Sequence, residues 1–393
     1  MAGPLKGLKV LDFTTLLPGP FATMMLADMG AEVLRIVSGT RPDLAAFVPP
    51  CLPGTNLSCA TATLGRGKRC MTLNLKDPRA SAIVEQIIKE YDILIEQFRP
   101  GVMAKLGLDY TTLNRANPGL IYCSLSGYGQ TGPLKGRAGH DINYLARSGL
   151  MSYSGAKDSG PQLTGMQIAD VAAGSNNSVI GILAAVIHRQ HTGEGQHVDV
   201  AMTDGVVAFN ALAGAAFLVD GTEAVRGEEI LNGGWLYDFY ETKEGGYISF
   251  GGLEPQFFAT FCATIGRSDL VAAAATPQDC GHFKDEVRLI IKSKTRDEWT
   301  AIFNRADACV EPVLGLGEAL GDPQVEARGL VVEVDVLGCG TVKQIGHPIR
   351  YSATPPEYRS AGVSAGKHTR EVMGELGYRE EEIDEFEKTG LFT

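Results

Sequence analysis

"LKVLDFTTLLPGPFATMMLADMGAEVLRIV" runs from Leu8 to Val37. It holds a short apolar strand (Leu8–Phe13), a turn carrying Pro18, Gly19 and Pro20, a helical run that stops at Gly30, and a second strand (Ala31–Val37). Pro20 suits a first helical position, where a missing N–H is no loss, and Gly30 suits a helix stop. The pattern continues outward. Strands are predicted at Cys70–Leu75, Asp92–Phe98 and Leu120–Tyr128, and "KDPRASAIVEQIIKEY" reads as a helix with Asp77 as its cap and Pro78 as its first residue. Repeated β-α-β units predict a mostly parallel sheet covered by helices. Ligands of such sheets bind in loops beyond the carboxyl ends of the strands.

Farther along, a helix rich in Ala, Gly and Ser is predicted over Ile168–Gln190, then a turn and strand over Gly193–Met202. The pattern changes at 225–330. Tyr237–Gly252 reads as a hairpin turning at Lys243–Gly246, followed by helices at Pro255–Ile265, Lys284–Lys294 and Arg296–Arg305. The expected organisation is a large domain over 1–215 and a small domain over 225–330. A segment over 331–393, with strands "VVEVDVLG" and "VKQIGHPIRY" and an acidic helical end, is expected to return to the large domain.

The chain has 393 residues, 44% hydrophobic and 21% charged, with a net charge of −11. That balance argues against nucleic acid or an anionic membrane as partner, since both favour a broad positive field. The richest apolar run, Ser178–Arg189, is too short to span a bilayer and reads as a buried helix. The eight cysteines (51, 59, 70, 123, 262, 280, 309, 339) form no CxxC pair, so reduced thiols are expected. The histidines show no HExxH spacing, and no metal is expected. The glycines match neither GxGxxG nor GxxxxGK[ST], which disfavours a dinucleotide or P-loop site. No signal peptide pattern opens the chain and no SKL-type tripeptide ends it, so a cytoplasmic location is expected, with mitochondrion and peroxisome left open.

Several residues are candidates for chemistry. "GRGKRCMTLNLK" concentrates Arg66, Lys68, Arg69 and Lys76 in an acidic protein, and Arg99 and Lys105 follow a later strand. These read either as one pocket for a phosphate-rich ligand or as solvated loops. In "GRAGHDINYLARSG", His140 is a structural or a reactive histidine, and Asp141 is the expected cap of a helix starting near Asn143. Asp170 stands in "GMQIADVAAG", where burying a carboxylate is costly unless it is partnered. Glu254, before Pro255, reads equally as a plain helix start. Spacing alone does not choose among these readings.

Taken together, "LPGPFATMMLADMGAEVLRI", "LGRGKRCMTLNLK", "FRPGVMAKLGL", "GHDINYLARSGL", "TGEGQHVDVAMTDG", "GGLEPQFF" and "DACVEPVL" resemble the family III CoA transferases, and within them the α-methylacyl-CoA racemase branch. The resemblance implies a Rossmann-like large domain with a parallel sheet, a smaller α+β domain and an interlocked homodimer. It implies an acyl-CoA thioester substrate, with no cofactor beyond the coenzyme A that the substrate carries. By matching motif, His140 and Asp170 are the acid/base pair and Glu254 holds His140. Leu73, Asn74, Leu75 and Lys76, with Gly139, Asp141, Ile142, Asn143 and Tyr144, are the implied CoA contacts. The family often places an arginine directly after the second strand. This chain has Ser38 there, and Arg41 is the candidate replacement. The implied reaction epimerises a 2-methylacyl-CoA by 1,1-proton transfer through an enolate, on an acyl chain left open. The alternative is CoA transfer with Asp170 as nucleophile.

Overall fold

The computed structural model describes residues 3–274 and 277–393, with backbone alone at 277–282. Cys280 therefore lies outside the described side chains; the other seven cysteines are free thiols. The chain divides into two units, one formed by 1–148, 164–209 and 326–393, the other by 149–163 and 210–325.

The first unit is built on six parallel strands: β1 (Lys9–Phe13), β2 (Glu32–Val37), β3 (Lys68–Thr72), β4 (Ile93–Glu96), β5 (Ile121–Ser126) and β6 (His197–Ala201). Their order is β3-β2-β1-β4-β5-β6, every pair parallel. Parallel neighbours need crossovers. The first is α1 (Pro18–Asp28) and the third includes α2 (Ala80–Ile88). Helices on both faces leave the central strands no wet side, and β4 and β5 are buried at every residue. The core joins Leu11, Leu34, Met71, Ile83, Ile87 and Leu94 to Val372, Met373 and Leu391 from the C-terminal end.

That end is stitched to β3 and its flanks by main-chain bonds: Gly67 N–H to Ser360 O, His368 N–H to Cys70 O, and Asn74 N–H to Leu391 O. The last of these explains why β3 stops at Thr72 and not at Leu75. A two-stranded antiparallel ribbon, formed by strands Val331–Val336 and Gly340–Ile345, belongs to the same unit. The second predicted strand of this pair ends earlier than expected, ahead of Pro348.

Three local expectations need correction. Asp77 does not cap α2. Its Oδ1 accepts the Arg79 N–H at 2.9 Å, an Asx turn that leaves Arg79 as the cap. Residue 141 is already helical: α3 spans Asp141–Arg147 with His140 as its cap. The long helix predicted from Ile168 opens as a π-helical stretch, Ile168–Asn176, before α4 (Asn177–Thr192). Together these form 25 residues whose most apolar 18-residue window has a mean hydropathy of 1.4, long and apolar enough by length and composition to cross a bilayer, whereas the sequence reading took its apolar part, Ser178–Arg189, as too short. The stretch packs against α1, β5 and β6, and 44% of its most apolar window is buried.

The second unit holds a three-stranded antiparallel sheet, Asp238–Glu241, Tyr247–Phe250 and Val310–Pro312, over a core containing Trp235, Phe250, Phe261 and Trp299. Residues 149–163, read from sequence as part of the first domain, belong here instead. The Arg226 guanidinium donates to the carbonyls of Met151, Ser152, Ser154 and Ser159, which ties that segment down.

Candidate active site

The strand order reverses between β1 and β4, and a crevice opens at such a switch point beyond the carboxyl ends of the strands. Here it is a cavity of about 390 Å³, walled by the turns that leave β1, β4 and β5, by Lys135, residues 137–140, Asn143 and Tyr144, and by Asp170 and Met202. Each turn is held from behind. Leu16, after β1, has the left-handed φ of 62° that a leucine rarely adopts, and its N–H donates to both Asp43 carboxylate oxygens at 3.1 Å. Arg35 in turn pairs with Asp43. Gln97 Oε1 accepts the Gly19 N–H at 3.1 Å, fixing the start of α1.

Glu96 closes β4 and is 4% exposed. Its Oε2 accepts the Phe98 N–H at 2.8 Å, so it shapes the turn that presents Phe98 and Arg99 to the cavity. Burial pushes its carboxyl up to about 7, against hydrogen bonds from Ser124 and Phe98. Because this folded value exceeds the unfolded one, the wild type loses stability as pH rises from about 4.5 through 7. Glu96→Gln cannot ionise. Its stability relative to wild type is expected to climb over that window by up to roughly 3 kcal/mol at pH 8 and to level off below pH 4.5. Urea denaturation at pH 4.5 and 8 checks this, and a difference that stays constant with pH would refute it.

His140 is exposed and lines the cavity, and its N–H donates to Asn143 Oδ1 at 3.0 Å, locking the first turn of α3. Tyr144 sits behind it, with its hydroxyl donating to Gly139 O at 2.5 Å and its ring edge-on to Tyr128. A Cβ on Gly139 would lie 2.6 Å from that ring, and one on Gly127 2.4 Å, so both glycines are demanded by close approach. Asp170, the third residue of the π-helical stretch, lines the same cavity and is half-buried. Burial pushes its carboxyl up to about 6; the Asp141 charge adds to the rise and His140 opposes it. Asp141 Oδ1 accepts the N–H groups of Ala169 (2.7 Å) and Asp170 (3.1 Å). It therefore caps the π-helical stretch rather than its own helix. π-helical turns recur at functional sites because they re-aim a side chain within a packed helix.

The predicted residues divide sharply. His140, Asp170, Arg99, Gly139, Asn143 and Tyr144 share the cavity wall. Arg41, Leu73, Asn74, Leu75, Lys76, Lys105, Asp141 and Ile142 do not line it. Leu73 is fully buried in the core, so its side chain is closed to a ligand. Glu254 belongs to the second unit, exposed at the cap of helix Pro255–Thr264. Half of the basic cluster is internal. Arg66 is fully buried and holds Asp28 through two bonds (2.9 and 2.7 Å). Lys68 donates to Thr23 Oγ1 and Pro20 O and pairs with Asp12, while Arg69 pairs with Glu371 and Glu375. The free positive charge at the cavity comes instead from Arg99, Lys135 and Arg137, none of which has an ion pair among the described residues. The sequence reading missed Lys135 and Arg137, although "LKGRAGH" sets both within five residues of His140.

The arrangement is an acid/base-capable pair in a crevice with a cationic rim. The profile of CoA-transferase family III matches residues 5–369. The human alpha-methylacyl-CoA racemase is 36% identical over 385 residues, covering 96% of this chain and 95% of that protein. The succinate–glutarate CoA-transferase of Agrobacterium fabrum is also 36% identical over 385 residues, covering 95% and 96%. The crystal structure of a CAIB/BAIF family protein from Brucella suis superposes with a TM-score of 0.84 at 28% identity, covering 96% of this chain and all of that one. The chain belongs to CoA-transferase family III.

Proposed function

We propose that the protein is an α-methylacyl-CoA racemase that moves the α-proton of a 2-methylacyl-CoA thioester between the two faces of the substrate. The observation that carries the reading is the sharing of one cavity by His140 and an Asp170 whose carboxyl is raised to about 6. A hydrogen α to a thioester carbonyl is a very weak acid. Removing it and returning one to the opposite face needs two groups that exchange roles. With neutral His140 as base, the C–H electron pair moves into the enolate, and protonated Asp170 delivers its proton to the α-carbon from the other side. The return reaction starts from ionised Asp170 and protonated His140. A raised carboxyl keeps the proton exchangeable near neutral pH. Arg99, Lys135 and Arg137 support an anionic ligand such as CoA. Glu254 is assigned to orient the His140 imidazole through the resemblance alone.

The homodimer expected from the resemblance is supported by apolar side chains left in solvent on helix Ala213–Asp220, where Leu218 and Val219 are each 85% exposed.

A second reading, CoA transfer, is favoured by the equal identity to a succinate–glutarate CoA-transferase. There the Asp170 carboxylate attacks the thioester carbonyl, releases CoA thiolate and forms an acyl anhydride. Proton NMR of each 2-methylacyl-CoA epimer in D2O separates the two. Racemisation puts deuterium at the α-carbon and erases optical purity with no acceptor acid present. Absence of α-deuterium in an enzyme that binds the thioester would sink the racemase reading.

A further inference from the structure

The geometry points to Ser126 as a direct substrate contact, its hydroxyl donating to a carbonyl oxygen of the bound acyl-CoA. The donor would serve either the thioester carbonyl or an amide carbonyl of the pantetheine arm. This inference rests on the CoA-thioester reading of the cavity.

Ser126 is the last residue of β5. β4 ends at Glu96, opposite Ser124, so Ser126 stands two residues past its neighbour strand, in the crevice itself. Side chains alternate along a strand, which places Ser124 and Ser126 on the same face. The inner of the two is satisfied: Ser124 Oγ lies 2.9 Å from His197 Nε2. The outer is not. Ser126 is 8% exposed and lines the cavity, yet its Oγ has no hydrogen-bond partner. The five buried side-chain atoms in that condition among the described residues belong to Arg69, Ser126, Gln130 and His347, and of these only Ser126 lines the cavity.

Buried hydroxyls are almost always paired, and leaving one unpaired costs folding free energy. A chain that keeps an unpaired donor in the wall of its ligand crevice is spending stability on the bound state. Two polar groups of the same wall are already engaged elsewhere: the Tyr144 hydroxyl donates to Gly139 O, and Gly127 O accepts from the Thr203 hydroxyl. An acyl-CoA brings carbonyl oxygens of two kinds, and a serine hydroxyl serves either.

The test compares wild type, Ser126→Ala and Ser126→Thr by three measurements: CoA affinity by calorimetry, turnover (α-proton exchange or acyl transfer, whichever the wild type shows), and Tm. If the contact is to a pantetheine amide, Ser126→Ala weakens CoA binding about five-fold. If it is to the thioester oxygen, CoA affinity holds and turnover falls by about five-fold or more. In both cases Tm stays level or rises, because a buried unpaired group has been removed, and Ser126→Thr restores the lost function. The inference is overturned if Ser126→Ala binds CoA and turns over like wild type, or if function falls only together with Tm. If the wild type itself fails to bind CoA, the ligand reading fails first and takes this contact with it.

Discussion

Asp170→Asn is expected to lose turnover by about 10²–10⁴-fold, the usual worth of a positioned acid or base. It is expected to do so without loss of stability. The carboxyl is held at about 6 in the folded chain, above its unfolded value, so its ionised form works against folding above pH 6 and not below about 4. The amide removes that burden, and the variant's Tm at pH 7–8 should match or exceed that of wild type, with the advantage fading in acid. The pH profile carries equal weight. In the racemase reading the working state holds one proton between Asp170 and His140, so the rate falls at high pH as the shared proton leaves and at low pH as a second arrives. The equilibrium between epimers does not depend on pH, so both directions must show the same bell. A nucleophilic Asp170 needs only to be ionised, which gives a rise through about pH 6 and then a plateau. An alkaline plateau would contradict two-face proton transfer.

Arg66→Met is expected to cost about 3–5 kcal/mol of stability and to leave the CoA affinity of the folded protein unchanged. Arg66 has no exposed surface, and its partner Asp28 is 1% exposed. Besides Asp28, the guanidinium donates to Gln344 Oε1 (2.8 Å) and Ile345 O (3.0 Å) and lies over the Tyr358 ring. Removing it strands a buried carboxylate and unties the C-terminal ribbon from α1. The effect is largely the cost of that orphaned charge, so Arg66→Met with Asp28→Leu should recover most of the loss. Chemical denaturation of the single and double variants, with CoA titration on each, checks both halves. A large loss of affinity at full stability would return Arg66 to the ligand site.

These two residues mark the limit of sequence reading. His140 and Asp170 were singled out together only through the family resemblance of the motifs that hold them, and the sequence placed a ligand site no more closely than the loops beyond the strand ends. Arg66 was misread because its partners lie 38 and 278 positions away. A run of basic residues looks the same whether its charges meet phosphate or buried carboxylates. Lys135 and Arg137 form no cluster in the sequence, and their importance comes only from the cavity wall they stand in.

The sequence by itself determined the class of architecture: hydrophobic periodicity and turn residues act over a few positions, and they suffice to specify parallel strands with helical crossovers and a helix start beside His140. Tertiary structure alone decided which charges are spent internally, that Asp141 caps the π-helical stretch bearing Asp170, that residues 149–163 belong to the second unit, and that Ser126 is left without a partner. The physical reason is common to all four. Hydrogen bonding, desolvation and ion pairing depend on which groups come within a few ångströms, and in a sheet ordered β3-β2-β1-β4-β5-β6 those groups arrive from distant parts of the chain.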